Sequence, residues 1–228
     1  MIPISDNNPR RRVPVVTLLI ILVNVLVWLY EVSLPAPALN QFFASLALIP
    51  LRITNAPNAG AIFTLFSSMF MHAGWLHIIG NMLYLWIFGD NVEDRLGRGL
   101  FLLFYLAGGV LAALAQVAFA PGSQVPILGA SGAIAAVLGA YLVLFPHQRV
   151  RNLVIIFFFI RTVELPAIVV LGLWFILQIL SGITAITTTA SGGTAWFAHI
   201  GGFVFGLLVG ALARQLDREK SSPYFIPR

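Results

Sequence analysis

A serine set among small residues and a histidine followed by glycines are the groups in this chain best suited to chemistry. Ser131 stands in Gly129-Ala130-Ser131-Gly132, and His199 in Ala198-His199-Ile200-Gly201-Gly202, with Gly206 beyond. Glycines beside a serine let a substrate carbonyl approach its oxygen and permit a tight turn into a helix. The first N–H groups of such a helix lack intrahelical acceptors and suit an oxyanion. A histidine within hydrogen-bond reach would act as general base for the serine. His77 and Asn81 are four residues apart, so they share one helix face, and both can donate to a developing oxyanion. One such donor is worth about 2.7–4 kcal/mol in the transition state. Each piece also has a plainer reading. Ser131 suits a helix N-cap, His199 a bond to a carbonyl between helices, and His77 with Asn81 ordinary interhelical bonding.

These groups lie in an unusually apolar chain. Of its 228 residues, 59% are hydrophobic and only 9% charged. Its mean hydropathy is +0.94. A soluble domain carries about 25% charged residues, so this chain lacks the charge to cover a water-facing surface. Apolar runs of membrane-spanning length recur along it, which predicts one all-α, polytopic membrane bundle. Six spans are expected, at 13–31, 76–89, 99–120, 131–145, 165–180 and 194–213. Residues 1–12 form a cytoplasmic N-terminal segment, 13–213 the six-helix membrane domain, and 214–228 a cytoplasmic tail. The proline-bearing stretch 32–71 is expected as a long loop, and the short apolar piece 153–160 as a segment that is interfacial or packed under the bundle. The first run is too long for a signal-peptide core and lacks a cleavage site, so it is taken as an uncleaved span.

The basic residues orient the bundle. Placing the N-terminus inside puts 12 of the 13 Lys and Arg residues on inner segments, with only Arg52 outside. That asymmetry is the positive-inside signature, and it explains the net charge of +5 without nucleic acid as a partner. With this topology His72, His77 and Asn81 fall in the outer half of span two. Ser131 opens span four from the outside, and His199 lies roughly 7 Å down span six. Polar groups at membrane depth are costly and usually serve function from the bundle interior. A small-residue stripe on span six (Gly202, Gly206, Gly210) faces a matching one on span four (Ser131, Ala135, Gly139), which would bring Ser131 to His199. No carboxylate lies in the outer halves of spans two, four or six. The expected machinery is therefore a Ser–His dyad without the aspartate of soluble triads.

Other chemistries fit less well. There is no cysteine, so neither a disulfide framework nor a cysteine-ligated zinc site is available. His72 and His77 are five apart, with no glutamate next to them, unlike the zinc-protease helix motif. A transporter would favour an inverted repeat and polar groups at the midplane, and neither is evident.

The residues now carry a resemblance. The run His72-Ala73-Gly74-Trp75-Leu76-His77-Ile78-Ile79-Gly80-Asn81 resembles the second-span signature of rhomboid intramembrane proteases. Gly129-Ala130-Ser131-Gly132 resembles their nucleophile motif, and Ala198-His199-Ile200-Gly201-Gly202 with Gly206 their sixth-span motif. The resemblance runs from about residue 13 to 213. It implies Ser131 as nucleophile and His199 as general base, with His77, Asn81 and backbone at Gly129 and Ala130 binding the oxyanion. His72, Gln116, Gly132 and Gly202 would support the site, Gln116 by holding water. It implies cleavage of single-span membrane substrates near the outer face of the bilayer, without metal or cofactor. Residues 181–193 would be a mobile cap and span five a lateral gate. With no large soluble domain, the chain suggests a minimal prokaryotic plasma-membrane enzyme whose site opens to the periplasmic or extracellular side. Some members carry an aromatic residue four positions after the nucleophile, packed on the histidine. Here that position is Ala135, so His199 needs another support. Some carry a Trp-Arg pair in the first outer loop, where this chain has Leu51-Arg52. The alternative within the family is a non-catalytic protein that binds membrane helices. Such relatives usually lack the serine or the histidine, and this sequence keeps both.

Overall fold

Polar residues inside an apolar run decide which face of a helix turns inward. The computed structural model, which describes residues 1–156, 159–187 and 195–220, shows this in its first helix. Helix α1 (Val15–Ser33) buries Thr17, Asn24, Trp28 and Glu31 while Leu18, Leu22, Leu26 and Leu29 stay exposed. The polar face packs inward and the leucines face where lipid chains lie, the arrangement of a membrane helix.

The stretch expected as a long loop is instead mostly helical. It forms α2 (Ala36–Leu46), α3 (Pro50–Asn55) and α4 (Ala59–Ser67), followed by a 3-10 turn at Ser68–Phe70. The prolines sit where helices tolerate them. Pro37 lies in the first turn of α2 and Pro50 opens α3, positions whose N–H groups have no intrahelical acceptor. Asn58 caps α4 by accepting the Ala61 N–H at 2.9 Å.

Helices α5 (Trp75–Leu96) and α6 (Arg98–Phe119) meet at Gly97, whose φ of 81° ends one helix and redirects the chain into the next. The α5 carboxylate of Glu93 reaches the start of α1. It accepts the N–H groups of Val16 (3.0 Å) and Thr17 (2.7 Å) and the Thr17 hydroxyl (2.8 Å). Helix α7 (Ser131–Leu144) is the centre of the molecule, with residues 132–141 all buried. Its 14 residues make a helix roughly 21 Å long, short of a hydrocarbon layer of about 30 Å. Phe88 of α5 packs edge-on against Tyr141 of α7, with ring centroids 4.9 Å apart.

The chain ends in α8 (Ala167–Thr187) and α9 (Trp196–Lys220). The first part of the expected cap is thus helical, and 188–194 lie outside the described residues. The sixth apolar run continues as helix to Lys220, where a tail from 214 was expected, and an ion pair between Arg95 and Asp217 ties α9 to α5. Among the described residues, four helices are long and apolar enough to cross a membrane: α1, α6, α8 and α9. Helices α4 and α5, bent by 79° at their junction, make a fifth if taken as one broken span.

The all-α expectation needs one correction. The short apolar piece contributes its residues 153–156 to strand β2 (Arg149–Ile156) and 159–160 to strand β3 (Phe159–Pro166), and β1 (Ile2–Asp6) completes an antiparallel sheet in the order β1-β2-β3. Arg151 pairs with Glu164 across β2 and β3, with an ion pair of 3.0 Å. The N-terminal segment therefore contributes a strand, and it is anchored further by Arg10 on Asp90 at 3.2 Å. The protein is mostly helical with one small sheet.

Candidate active site

Ser131 is the first residue of α7, and Ala130 occupies the cap position before it. The serine is therefore not the N-cap, and its hydroxyl is free to meet another group. It donates to Nε2 of His199 at 2.8 Å. The approach that allows this is made by the small residues of α7 and α9. A β-carbon on Gly202 would overlap the carbonyl of Gly132, one on Gly206 the carbonyl of Ala136, and one on Gly210 would press on Ala140. The facing row on α7 is thus Gly132, Ala136 and Ala140, one residue on from the expected Ser131, Ala135 and Gly139. Gly139 also lies in the contact, against backbone at Phe203.

His199 is buried at 8% exposure and supported on several sides. Its Nδ1 is 2.7 Å from Oε1 of Gln178 on α8. Trp174, also on α8, lies at a centroid distance of 5.9 Å, and Trp196 stands edge-on at 6.2 Å. These residues fill the place left by the small Ala135. Sequence reading missed Gln178 and Trp174. Their only signal was a polar and an aromatic residue four apart in an apolar span, on one helix face.

His77, Asn81 and Gly129 line the same cavity of about 870 Å³ as Ser131 and His199, whereas Ala130 is fully buried and not part of that lining. Asn81 is buried, and its Nδ2 has no hydrogen-bond partner. His77 accepts the Ala73 N–H on Nδ1 at 3.4 Å, which leaves Nε2 as an N–H donor. That edge of the ring abuts Gly129, where a β-carbon would lie 2.8 Å from Nε2. Gly129 takes φ 125°, a conformation glycine adopts without strain. Its own N–H is engaged, donating to the Ser68 carbonyl at 2.9 Å, so it is not the free donor expected of it. The N–H groups that open α7, from Ser131 onward, remain without intrahelical acceptors. Leu48 and Ile127 exchange two backbone bonds, at 3.0 and 2.8 Å, and tether the segment leading to Ser131.

The supporting candidates separate. Gly132 and Gly202 lie within the close α7–α9 contact, where a β-carbon on Gly202 would overlap the Gly132 carbonyl. His72 is fully buried behind His77, with ring centroids 5.1 Å apart and both ring nitrogens unpartnered. Gln116 on α6 uses its Oε1 to accept the N–H groups of Phe197 and Ala198, at 3.1 and 3.2 Å. It thereby satisfies the start of α9, the helix that carries His199. Among the described residues, no group of three or more His, Asp or Glu converges as a metal-binding set.

This geometry is that expected of a nucleophile joined to a base, with donors around one side of a cavity. Comparison with known proteins agrees in family. The chain is 28% identical over 193 residues to presenilin-associated rhomboid-like protein A, mitochondrial, of Danio rerio, a match covering 82% of this chain and 45% of that one. It is 34% identical over 152 residues to rhomboid protease GluP of Bacillus subtilis, covering 67% and 26%. It is 30% identical over 163 residues to rhomboid protein 1, mitochondrial, of Saccharomyces cerevisiae, covering 69% and 44%. The chain thus spans less than half the length of each of these relatives. The model of the rhomboid domain matches residues 59–216, a stretch that runs from α4 into α9 and holds every member of the polar cluster, and the chain belongs to the rhomboid family.

Proposed function

We propose that the protein is an intramembrane serine endopeptidase. It hydrolyses peptide bonds of single-span membrane substrates near the outer face of the bilayer, with Ser131 as nucleophile and His199 as general base. The observation that carries this reading is the 2.8 Å bond from the Ser131 hydroxyl to His199 Nε2 inside a bundle of apolar helices. Ser131 Oγ attacks the substrate carbonyl carbon as its proton passes to Nε2. The resulting oxyanion takes hydrogen bonds from Asn81 Nδ2, His77 Nε2 and the first N–H groups of α7. His199 then gives the proton to the leaving nitrogen, the C–N bond breaks, and an acyl-serine remains. A water attacks that ester as His199 takes its proton, and return of the proton to Oγ frees the acid product and restores Ser131.

The topology proposed with it has six crossings, with α7 added as the fourth in chain order, and an inner N-terminus. The asymmetry of the basic residues supports this orientation. The short α7 suits a nucleophile set below the membrane surface, and α8, whose outward face is largely exposed leucine and isoleucine, suits the gate.

The test is cleavage of a model single-span substrate by detergent-solubilised protein beside Ser131→Ala. Wild-type cleavage that resists a chelator and is lost in the variant supports the serine mechanism. A fluorophosphonate that labels neither protein, with no cleavage by either, moves the reading to a helix-binding member of the family.

A further inference from the structure

His199 engages both ring nitrogens, and the second partner comes from a different helix than the nucleophile. Nε2 accepts from Ser131 on α7 at 2.8 Å, while Nδ1 lies 2.7 Å from Gln178 Oε1 on α8. The other end of the Gln178 amide sets its orientation. Its Nε2 points to the Trp174 carbonyl at 3.4 Å, so Oε1 is the atom turned to the imidazole. An amide oxygen can only accept, so Nδ1 must carry the hydrogen. In a neutral imidazole the other nitrogen is then a bare lone pair, and that nitrogen faces Ser131.

We propose that Gln178 is the positioning residue of the dyad, holding His199 in the one neutral tautomer that can take the Ser131 proton. This rests on the proteolytic reading above. In soluble triads a buried aspartate fills this place. Within an apolar bundle an unpaired carboxylate carries a heavy desolvation cost, whereas an amide supplies the same acceptor without a full charge. Gln178 is itself buried, at 7% exposure, and its oxygen has no competing donor among the contacts that surround it.

The placement on α8 has a consequence for when the base is competent. Trp174, Gln178 and Gly182 follow one another at four-residue steps, so they form one face of α8. Trp174 and Gln178 meet His199, and a β-carbon on Gly182 would lie 3.4 Å from Ile200 of α9. Any outward swing of this part of α8 withdraws the amide and the indole from His199 together. The tautomer is held only while α8 is seated, so admission of a substrate past α8 and activation of Ser131 are sequential.

The experiment compares wild type with Gln178→Leu and Gln178→Glu, in detergent, on one single-span substrate across pH. Fluorophosphonate labelling of Ser131 and thermal unfolding are followed in parallel. Losing the orienting carboxylate of a soluble triad costs about 10⁴-fold in kcat, and a neutral amide should matter less, so Gln178→Leu is expected to lose roughly 10–100-fold in kcat at near-constant KM. Gln178→Glu keeps activity, but its acid limb moves to higher pH, because a carboxylate favours the imidazolium form. A merely structural Gln178 would lower the unfolding temperature and leave the acid limb of the Glu variant where wild type has it. That result, or a Leu variant with wild-type kcat and labelling rate, overturns the proposal. If the Leu variant fails to fold, the acid limb of the Glu variant decides alone. Labelling of wild type and the Leu variant at equal rates removes Gln178 while sparing the protease reading, whereas an unlabelled, inactive wild type removes both.

Discussion

Gly202 lies so close to Gly132 that a β-carbon on it would occupy the space of the Gly132 carbonyl oxygen. The same relation repeats one turn on, between Gly206 and Ala136. Backbone-to-backbone contact of this kind is what small residues permit between membrane helices. Here it also sets the distance from His199 to Ser131, since Ser131 sits one residue before Gly132 and His199 three before Gly202. Gly206→Val must therefore push α7 and α9 apart without touching the side chain of Ser131 or His199. The expected effect is a loss of about 1–3 kcal/mol in stability from overpacking, together with a large fall in Ser131 labelling rate. Gly172→Ala on α8, where a β-carbon meets nothing within 4 Å, should leave both unchanged. Unfolding midpoints and fluorophosphonate rates read the two effects, and a Gly206 variant with wild-type values would count against the packing account.

Asn81 presents an unpartnered amide to the cavity, which is the state expected of a donor that waits for charge to develop. Asn81→Ala should lower kcat by roughly 10²–10³-fold while KM stays near its wild-type value. Steady-state kinetics on a single-span substrate separates the two constants. An increase in KM with kcat preserved would assign Asn81 to substrate binding instead.

Glu93 holds the first turn of α1 through three hydrogen bonds to one carboxylate. Removal by Glu93→Ala leaves those donors buried with no acceptor, a loss of roughly 2–5 kcal/mol. Glu93→Gln keeps an acceptor oxygen and should lose less. Equilibrium unfolding in mixed micelles would show the ranking, and equal stability for wild type and the Ala variant would contradict it.

Asp6 gives the small sheet a pH dependence. Burial raises its carboxyl from 3.8 to about 6; the hydrogen bond donated by Tyr141 works in the opposite direction, and the nearby Asp90 carboxylate adds to the rise. Asp90 is itself paired with Arg10 at 3.2 Å. The folded protein thus binds this proton more tightly than the unfolded chain does. The contribution is fully present below about pH 4 and is lost as pH rises through about 6. Asp6→Asn should flatten the stability profile in that window. The measurement is the unfolding midpoint from pH 4 to 7, and an unchanged slope in the variant would reject the assignment.

The polar cluster was legible because an apolar sequence makes its few polar residues conspicuous. Ser131, His199, His77 and Asn81 could be brought to one depth by counting residues along spans. Gln178 could not, because it has no spacing relation to His199 and meets it only through the packing of α8 on α9. The Gly129 N–H was misassigned for a similar reason, since its acceptor is the Ser68 carbonyl in a stretch read as loop. That stretch hid three helices because its prolines looked like breakers, and their position in first turns emerges only once the boundaries are known. The sheet was missed because β1 pairs with β2 nearly 150 residues away, so no local pattern announces it. The membrane helices were the easy part, as 18 or more apolar residues leave little else to be.

The shortness of α7 works as a vertical ruler. Ser131 is its first residue and the proposed nucleophile, so its oxygen stands wherever a helix of 14 residues happens to begin. Were its far end to meet one face of a hydrocarbon layer of about 30 Å, that start would fall roughly 9 Å inside the other. The position of a cut would then be gauged by depth from the lipid headgroups rather than by spelling out a long sequence. Substrates unrelated in sequence could share one cleavage height, and a thicker bilayer would move the scissile bond along them.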